Sequence, residues 1–494
     1  MGESVTFFTK QRRIYARRVW GKYRKLKWLS MVTLLAIYYA TPWLRWNRGP
    51  HAPDQAILID MPGRRAYFFG IEIWPQEVYY LAGILILAAV GLFFVTSLLG
   101  RVWCGYACPQ TVWTDLFVWV ERLVQGDRNA RMKLDNAPWS LEKIRKKGLT
   151  HFLWILIGFV TGGAWVFYFN DAPTLFDQLL HLDVPWSVGG WIAALTFSTY
   201  LMAGYAREQV CTYMCPYARF QSAMFDKDTL IIAYDKERGE PRGHHKQGES
   251  WENRGHCINC DSCVVVCPVG IDIRNGLQME CIACGLCVDA CNNVMDKVGL
   301  PRGLIRYDTE NNAKERLTSP SPWKGEGRGG GRSTQRDPHP TLPLPGGGLT
   351  LLRPRTLYYV CILSLVSGLM LYGLLTRSAL ELNVIHDRNP LFVQLSDGRI
   401  RNSYTIKILN KTHDDRNYAL SVAGLSDAAV KIEAAGAVQP AHMPVFADSV
   451  GEFRVLIAAP PGSAQHRRAI DFIIKDNSSG DAYTHATIFV SRNP

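Results

Sequence analysis

Cys257-Ile258-Asn259-Cys260-Asp261-Ser262-Cys263-Val264-Val265-Val266-Cys267-Pro268, followed by Cys281-Ile282-Ala283-Cys284-Gly285-Leu286-Cys287-Val288-Asp289-Ala290-Cys291, places eight of the thirteen cysteines in one short stretch. Three thiols spaced Cys-x2-Cys-x2-Cys converge on one cubane face from a single tight loop, and the fourth ligand comes from further along the chain. In doubled runs of this kind the fourth cysteine serves the other cluster. The spacing therefore predicts two [4Fe–4S] clusters in a bacterial ferredoxin-type α+β module. Cys257, Cys260, Cys263 and Cys291 are expected to hold one, and Cys281, Cys284, Cys287 and Cys267 the other. Structural zinc would need only four of these thiols, in pairs with a longer spacer.

The 494 residues allow two or three domains, and strongly apolar blocks alternate with polar ones. Part of the net charge of +12 lies at the amino end, where Lys10, Arg12, Arg13, Arg17, Arg18, Lys22, Arg24, Lys25 and Lys27 precede the first apolar run. An apolar helix follows at once, so these charges read as a membrane flank and no nucleic-acid partner is expected. The charged stretch is long and no small-residue cleavage site follows, which argues against a cleavable signal peptide.

Five blocks, near 28–46, 78–99, 149–169, 188–206 and 355–376, approach the roughly twenty apolar residues a bilayer crossing needs. Lys and Arg accumulate on the cytoplasmic side. The loop after the second block carries Arg101, Arg122, Arg128, Arg131, Lys133, Lys143, Arg145, Lys146 and Lys147, whereas 170–187 holds no Lys or Arg. The expectation is a multi-domain protein of the cytoplasmic membrane with about five transmembrane helices. Residues 1–27 form a basic cytoplasmic segment, 28–206 a four-helix membrane region, and 207–317 the cytoplasmic cluster module. A Pro/Gly-rich linker covers 318–354, a fifth helix 355–376, and an exported domain 385–494. Reduced cluster thiols suit the cytoplasmic side.

Cys104-Gly105-Tyr106-Ala107-Cys108-Pro109 and Cys211-Thr212-Tyr213-Met214-Cys215-Pro216 sit where the second and fourth blocks reach the cytoplasmic face. Their shared Cys-x-Tyr-x-Cys-Pro pattern predicts a repeat of two helical hairpins. A four-residue step places both thiols of a pair on one helix face, with Cβ atoms about 5–6 Å apart. The residue before proline leaves the helical region, so Cys108 and Cys215 mark the helix break. Thiolates are soft ligands that favour Cu(I), so a copper-handling site at Cys104, Cys108, Cys211 and Cys215 is chemically reasonable; the alternative is four buried small hydrophobes. Met214 is a weak additional thioether ligand. Cys361 reads as packing, His244, His245 and His256 as solvated loop, and His151 as interfacial.

Ser319 to Gly331 and Pro338 to Gly348 form a Pro/Gly-rich tract without the apolar surface to fold, and read as a tether. Beyond 385, short alternating runs such as Tyr404 to Leu409, Tyr418 to Val422, Phe453 to Ile457, Ile470 to Ile474 and Thr484 to Val490 predict an immunoglobulin-like β-sandwich. It holds no cysteine, and His413, His442, His466 and His485 show no ligand spacing.

The stretches Phe7 to Tyr15, Trp103 to Trp113, Arg207 to Gln221 and Val294 to Tyr307 together resemble the FixG/CcoG family of bacterial cytochrome c oxidase accessory proteins. The resemblance covers nearly the whole chain. It implies a membrane polyferredoxin that reduces Cu(II) to Cu(I) while the copper centre of a cbb-type oxidase is assembled, with copper as substrate or transient ligand at Cys104, Cys108, Cys211 and Cys215. It further implies a periplasmic immunoglobulin-like module. The expected partners are oxidase subunits or assembly factors, and the expected electron source is a cytoplasmic donor or a quinol. Asn292 stands where ferredoxin repeats often carry proline, and the Pro/Gly tract departs from the family pattern. The paired Cys-Pro motifs and clusters are also similar to those of membrane polyferredoxins of nitrate and nitrous-oxide respiration. The alternatives are a quinol-linked electron conduit serving another acceptor and, without catalysis, an assembly scaffold braced by its clusters.

Overall fold

The computed structural model describes residues 13–49, 52–245, 249, 251, 254–312, 353–377, 380–412, 414–433, 439–460 and 467–491. The start of the basic segment, nearly all of the 318–354 tract, His413 and His466 lie outside the described residues. The chain forms two compact units: one spans Met1–Leu44 and Ala56–Met370, the other Arg45–Gln55 and Leu371–Pro494.

The first unit opens with α1 (Lys22–Ala40) and a small antiparallel meander, β1 (Ile57–Asp60), β2 (Arg65–Phe68) and β3 (Ile71–Ile73), which the sequence reading did not anticipate. It continues through α2 (Tyr79–Leu99), α3 (Val102–Tyr106), α4 (Pro109–Gln125), α5 (Arg128–Asn136), α6 (Leu141–Val166), α7 (Ala172–His181) and α8 (Trp186–Thr199). Pro75–Leu99, Leu141–Val166 and Pro354–Leu375 are, among the described residues, the helices long and apolar enough to cross a membrane. Their outward side chains, among them Leu81, Leu85, Phe152, Phe159, Leu365 and Leu369, are exposed and apolar, as lipid-facing surface requires. The first and fourth apolar blocks also form helices. However, α1 carries four basic residues in its first two turns, and α8 ends after 14 residues in a π-helical stretch, Tyr200–Ala206. The α6–α8 contact is close because Gly158 and Gly162 present no Cβ: a methyl at Gly162 would lie 2.9 Å from the Ile192 carbonyl oxygen.

After α9 (Pro216–Met224), strand β4 (Ile231–Tyr234) pairs antiparallel with β5 (Ile305–Asp308), Ile231 opposite Asp308 and Tyr234 opposite Ile305. Every cluster cysteine lies in the chain between these two strands, with α10 (Lys236–Gly239), α11 (Ser262–Val265) and α12 (Leu286–Val298). Ile232, Ile273, Met295, Leu304 and Ile305 form the core against which cluster cysteines pack. The module is seated on α1 by Asp289 of α12, whose carboxylate accepts from the backbone N–H groups of Tyr23 (3.3 Å) and Arg24 (2.8 Å). These are donors that the first turn of α1 leaves without helical partners.

Helix α13 (Pro354–Leu375) precedes the second unit's sandwich. One sheet has the order β10 (Ala429–Glu433), β12 (Ser449–Ala459), β8 (Ile400–Asn410), β6 (Leu380–His386), with β7 (Val393–Gln394) also on β8. The other runs β11 (Met443–Val445), β9 (Arg416–Ala423), β13 (Arg467–Asp476), β14 (Ala482–Val490). Tyr404, Ile406 and Ile408 on β8 and Ile470, Phe472 and Ile474 on β13 alternate inward to form the core. Each such side chain contributes about 1.5–3 kcal/mol on burial. The domain begins at Leu380, which is buried in this core, and not at 385. Leu380, Leu382 and Val384 alternate with polar Glu381 and Asn383, so the pattern of β6 was present in the sequence a few residues before the boundary placed at 385.

Candidate functional site

The two cluster loops share one backbone device. Asn259 and Asp261 in the first, and Ala283 and Gly285 in the second, occupy the left-handed region at the second and fourth positions after the leading cysteine. Such reversals curl a short segment so that its thiols face one point; in the second loop the later position is glycine, which adopts this conformation without steric cost. Cys257, Cys260, Cys263 and Cys291 line one cavity, together with Tyr234 and Leu304. Cys267, Cys281, Cys284 and Cys287 line a second, with Ile232 and Ile273. Cys263 borders both.

Burial pushes the thiols of Cys263, Cys281 and Cys291 up to about 12 and that of Cys267 up to about 11. A thiolate is costly in such surroundings unless a cation sits against it. Four thiols around each apolar cavity fit an iron–sulfur cluster, whose irons supply that charge.

The second loop rests directly on the thiol-bearing helix α3. The Tyr106 hydroxyl donates to the Cys284 carbonyl at 2.9 Å, and the Arg101 guanidinium binds the carbonyls of Met279, Cys281 (3.4 Å) and Ala218 (2.6 Å). Gly105 permits the approach: a Cβ there would meet the Ile282 carbonyl oxygen at 2.7 Å and the Ala283 carbonyl oxygen at 3.1 Å.

Cys108 and Cys215 have extended backbones and are the N-caps of α4 and α9, with Pro109 and Pro216 at the first helical positions. Each proline thus ends one helix and starts the next, as its fixed φ and missing N–H allow. In both repeats the N–H of the second cysteine reaches back five residues, Cys108 to the Trp103 carbonyl at 2.9 Å and Cys215 to the Val210 carbonyl at 2.7 Å. The expectation of two thiols on one regular helix face does not hold. Cys104 lies in the five-residue α3 and Cys211 in a π-helical turn, Val210–Met214, and the pre-proline break takes Cys108 and Cys215 off those segments.

The four membrane thiols are nevertheless neighbours. Cys211, pushed up to about 12 by burial, feels Cys108, Cys104 and Cys215; Cys104, pushed up to about 11, feels Cys108 and Cys215. The fully buried Gln221 donates to Cys104 Sγ at 3.3 Å. Among the described residues no three His, Cys, Asp or Glu side chains close on a single ion, the ferredoxin cysteines included. Met214 is exposed and Cys361 lies exposed on α13. His256 accepts from Arg238 at 2.9 Å, and His245 stacks on Trp251.

Sequence reasoning missed Arg101, counted only as a loop cation, and Gln221, a polar residue on a short helix. Glu121 was also missed: buried in α4, it binds Arg131 at 2.8 Å and Arg207 at 2.7 Å. An acidic residue inside an aromatic-rich helix was the available signal for Glu121.

Apolar helices carrying a cysteine-rich module with this ligand geometry define a membrane-associated iron–sulfur electron-transfer protein. Comparisons agree. A family described as a 4Fe-4S dicluster domain matches residues 206–310, and a 4Fe-4S binding domain matches 81–127, across the first Cys-Pro hexapeptide. An IG-like fold at the C-terminus of FixG matches 370–492. The chain is 48% identical to the nitrogen fixation protein FixG of Rhizobium meliloti over 96% of this chain and 91% of that one. It is 46% identical to protein RdxB of Cereibacter sphaeroides over 99% of this chain and 98% of that one, and 46% identical to protein RdxA of the same organism over 91% and 90%. The chain belongs to the FixG family.

Proposed function

We propose that this protein carries electrons through two [4Fe–4S] clusters, one on Cys257, Cys260, Cys263 and Cys291 and one on Cys281, Cys284, Cys287 and Cys267, to Cu(II) held at Cys104, Cys108, Cys211 and Cys215. The Cu(I) produced serves assembly of the copper centre of a cbb-type oxidase. The carrying observation is the direct seating of the second cluster loop on α3, through Tyr106, Arg101 and Gly105, which brings an electron carrier beside soft ligands. When bound, the clusters supply one-electron carriage. The protein's own part is to hold the thiols in an apolar pocket where they are neutral without metal and release protons to a soft cation.

In this reading five helices cross the cytoplasmic membrane, because α1 and α8 with its π-helical extension complete the three longer spans. The Lys/Arg-rich amino end and the clusters face the cytoplasm. The sandwich is periplasmic and docks oxidase subunits or assembly factors.

The test is Cu(II) reduction by anaerobically purified full-length protein with dithionite as donor, comparing wild type with the Cys104→Ala/Cys211→Ala double variant at equal iron content. The expected result is reduction by wild type and loss in the variant. Equal rates would remove the thiols from the reaction, and no reduction by iron-replete wild type would favour a scaffold.

A further inference from the structure

A chamber of about 620 Å³ opens between α4, α6 and the π-helical stretch after α8, with His151, Trp154, Tyr205, Glu208 and Lys147 among its walls. That volume suits a small-molecule ring system. The His151 Nδ1 is 3.1 Å from the Tyr200 hydroxyl, which in turn is 3.2 Å from the Tyr205 hydroxyl. The Tyr205 ring lies nearly parallel to the imidazole, 14° between planes at 6.0 Å, and Trp154 meets it edge-on at 5.2 Å. The His151 Nε2 has no partner among the described residues, and Glu208 makes no ion pair among them.

The cations around the chamber are already engaged. Lys147 and Arg13 pair with Asp135 at 2.5 and 3.0 Å, Arg207 pairs with Glu121, and Lys143 donates to the carbonyls of Asp135 and Ala137. An anionic headgroup would therefore find no free charge. An aromatic slot with one imidazole nitrogen and one carboxylate to spare suits a neutral ring bearing two hydroxyl groups. Phe152 and Leu201, exposed and apolar, flank the slot in sequence and offer a way in from lipid. Ile14, Arg207 and Glu208 are shared walls with a second, smaller cavity that is also lined by Cys211, Pro268 and Ile282. The chamber thus adjoins a cavity that reaches Cys211 and Ile282 of the second cluster loop.

We propose that this chamber binds the ring of a membrane hydroquinone, with His151 and Glu208 as its polar partners, and is where electrons enter the protein. The inference rests on the electron-transfer reading above. The hydroquinone loses two electrons and two hydroxyl protons and becomes the quinone. The electrons convert two Cu(II) to two Cu(I), with the iron–sulfur centres as carriers. One proton passes to His151 Nε2 and one to the Glu208 carboxylate, and both leave to water.

The test uses full-length protein in lipid nanodiscs under nitrogen, with decylubiquinone as the binding probe in titration calorimetry and decylubiquinol as the electron donor. Wild type is expected to bind decylubiquinone saturably. His151→Leu should weaken that binding about tenfold or more, with Tyr205→Phe as a milder second variant, at unchanged iron content and visible spectrum. Glu208→Gln should weaken binding less than His151→Leu does, slow decylubiquinol-driven Cu(II) reduction and shift its pH profile. Absence of saturable binding to wild type, or equal affinity in His151→Leu, would overturn the proposal, as would an anionic phospholipid in the nanodisc competing the probe away. Failure of dithionite-driven Cu(II) reduction would overturn the copper reading alone, and the calorimetry would still decide the chamber.

Discussion

The hexapeptides Cys104 to Pro109 and Cys211 to Pro216 share cysteine, tyrosine, cysteine and proline at the same places, yet the fold gives them opposite surroundings. Tyr106 is buried and bonded to the second cluster loop, while its counterpart Tyr213 is 78% exposed. Gly105 touches backbone of that loop, whereas Thr212 turns its hydroxyl back onto the Glu208 carbonyl at 2.9 Å. The first hexapeptide is the half packed against the second cluster loop, and the second is the half that presents its tyrosine and Met214 to the surface. One motif, used twice, differs by what packs against it.

The strongest way to break this comparison is to cut the tie between the halves. Glu121, on the helix that follows the first hexapeptide, binds Arg207, which lies four residues before Cys211, as well as Arg131. Burial alone would raise its carboxyl, but Arg207 and Arg131 overcome that and hold it below the usual glutamate range. Its contribution to stability is fully present above the ordinary glutamate pKa and is lost as pH falls through the lower folded value. Glu121→Gln, leaving buried guanidinium groups without a counter-charge, should cost about 3–5 kcal/mol. Thermal unfolding in detergent at neutral pH measures this. The variant should also lose part of the wild type's acid sensitivity below the usual glutamate range; an unchanged acid limb would remove Glu121 from the account.

A smaller effect separates the hexapeptides themselves. Gly105→Val would push a side chain into the carbonyls of Ile282 and Ala283. Overpacking of this kind costs about 1–3 kcal/mol. Thr212→Val, at the matching place, keeps the shape of the side chain and gives up only its hydroxyl bond to the Glu208 carbonyl, so it should cost about 1 kcal/mol or less. Iron content and melting temperature of the two variants report the difference. Equal losses at both places would mean that the halves are packed alike.

Spacing announced the two cysteine loops, which the fold gathers around two adjoining cavities, and alternation made the sandwich strands legible for the same local reason. The prolines after Cys108 and Cys215 also announced the helix breaks. What stayed hidden depends on contacts distant in sequence. Nothing near Asp289 marks it as the cap of α1, and Arg101 looked like any cytoplasmic loop cation. The meander from Ile57 to Ile73 is too short and mixed to show a period. Strands β4 and β5, which enclose the cluster loops, carry only four residues each and make sense only as a pair. His151 was read as interfacial because no second histidine accompanies it; its partners are tyrosines from another helix.

The finest test of the asymmetry concerns a single hydrogen bond. Gln221, fully buried, donates to Cys104 Sγ and thereby favours its thiolate, opposing the burial that pushes this thiol up. No hydrogen bond from Gln221 reaches Cys211 among the described residues. Gln221→Leu should therefore raise the Cys104 pKa further and lower its thiolate fraction at any pH below it. A bond worth about 1 kcal/mol corresponds to roughly a fivefold slower alkylation of Cys104 by N-ethylmaleimide in copper-free protein. Peptide mass spectrometry reads Cys104 and Cys211 separately in the same sample, so Cys211 serves as the internal reference. Unchanged or faster labelling at Cys104 would show that Gln221 merely fills space, and the two halves would then differ in exposure but not in how their thiols are tuned.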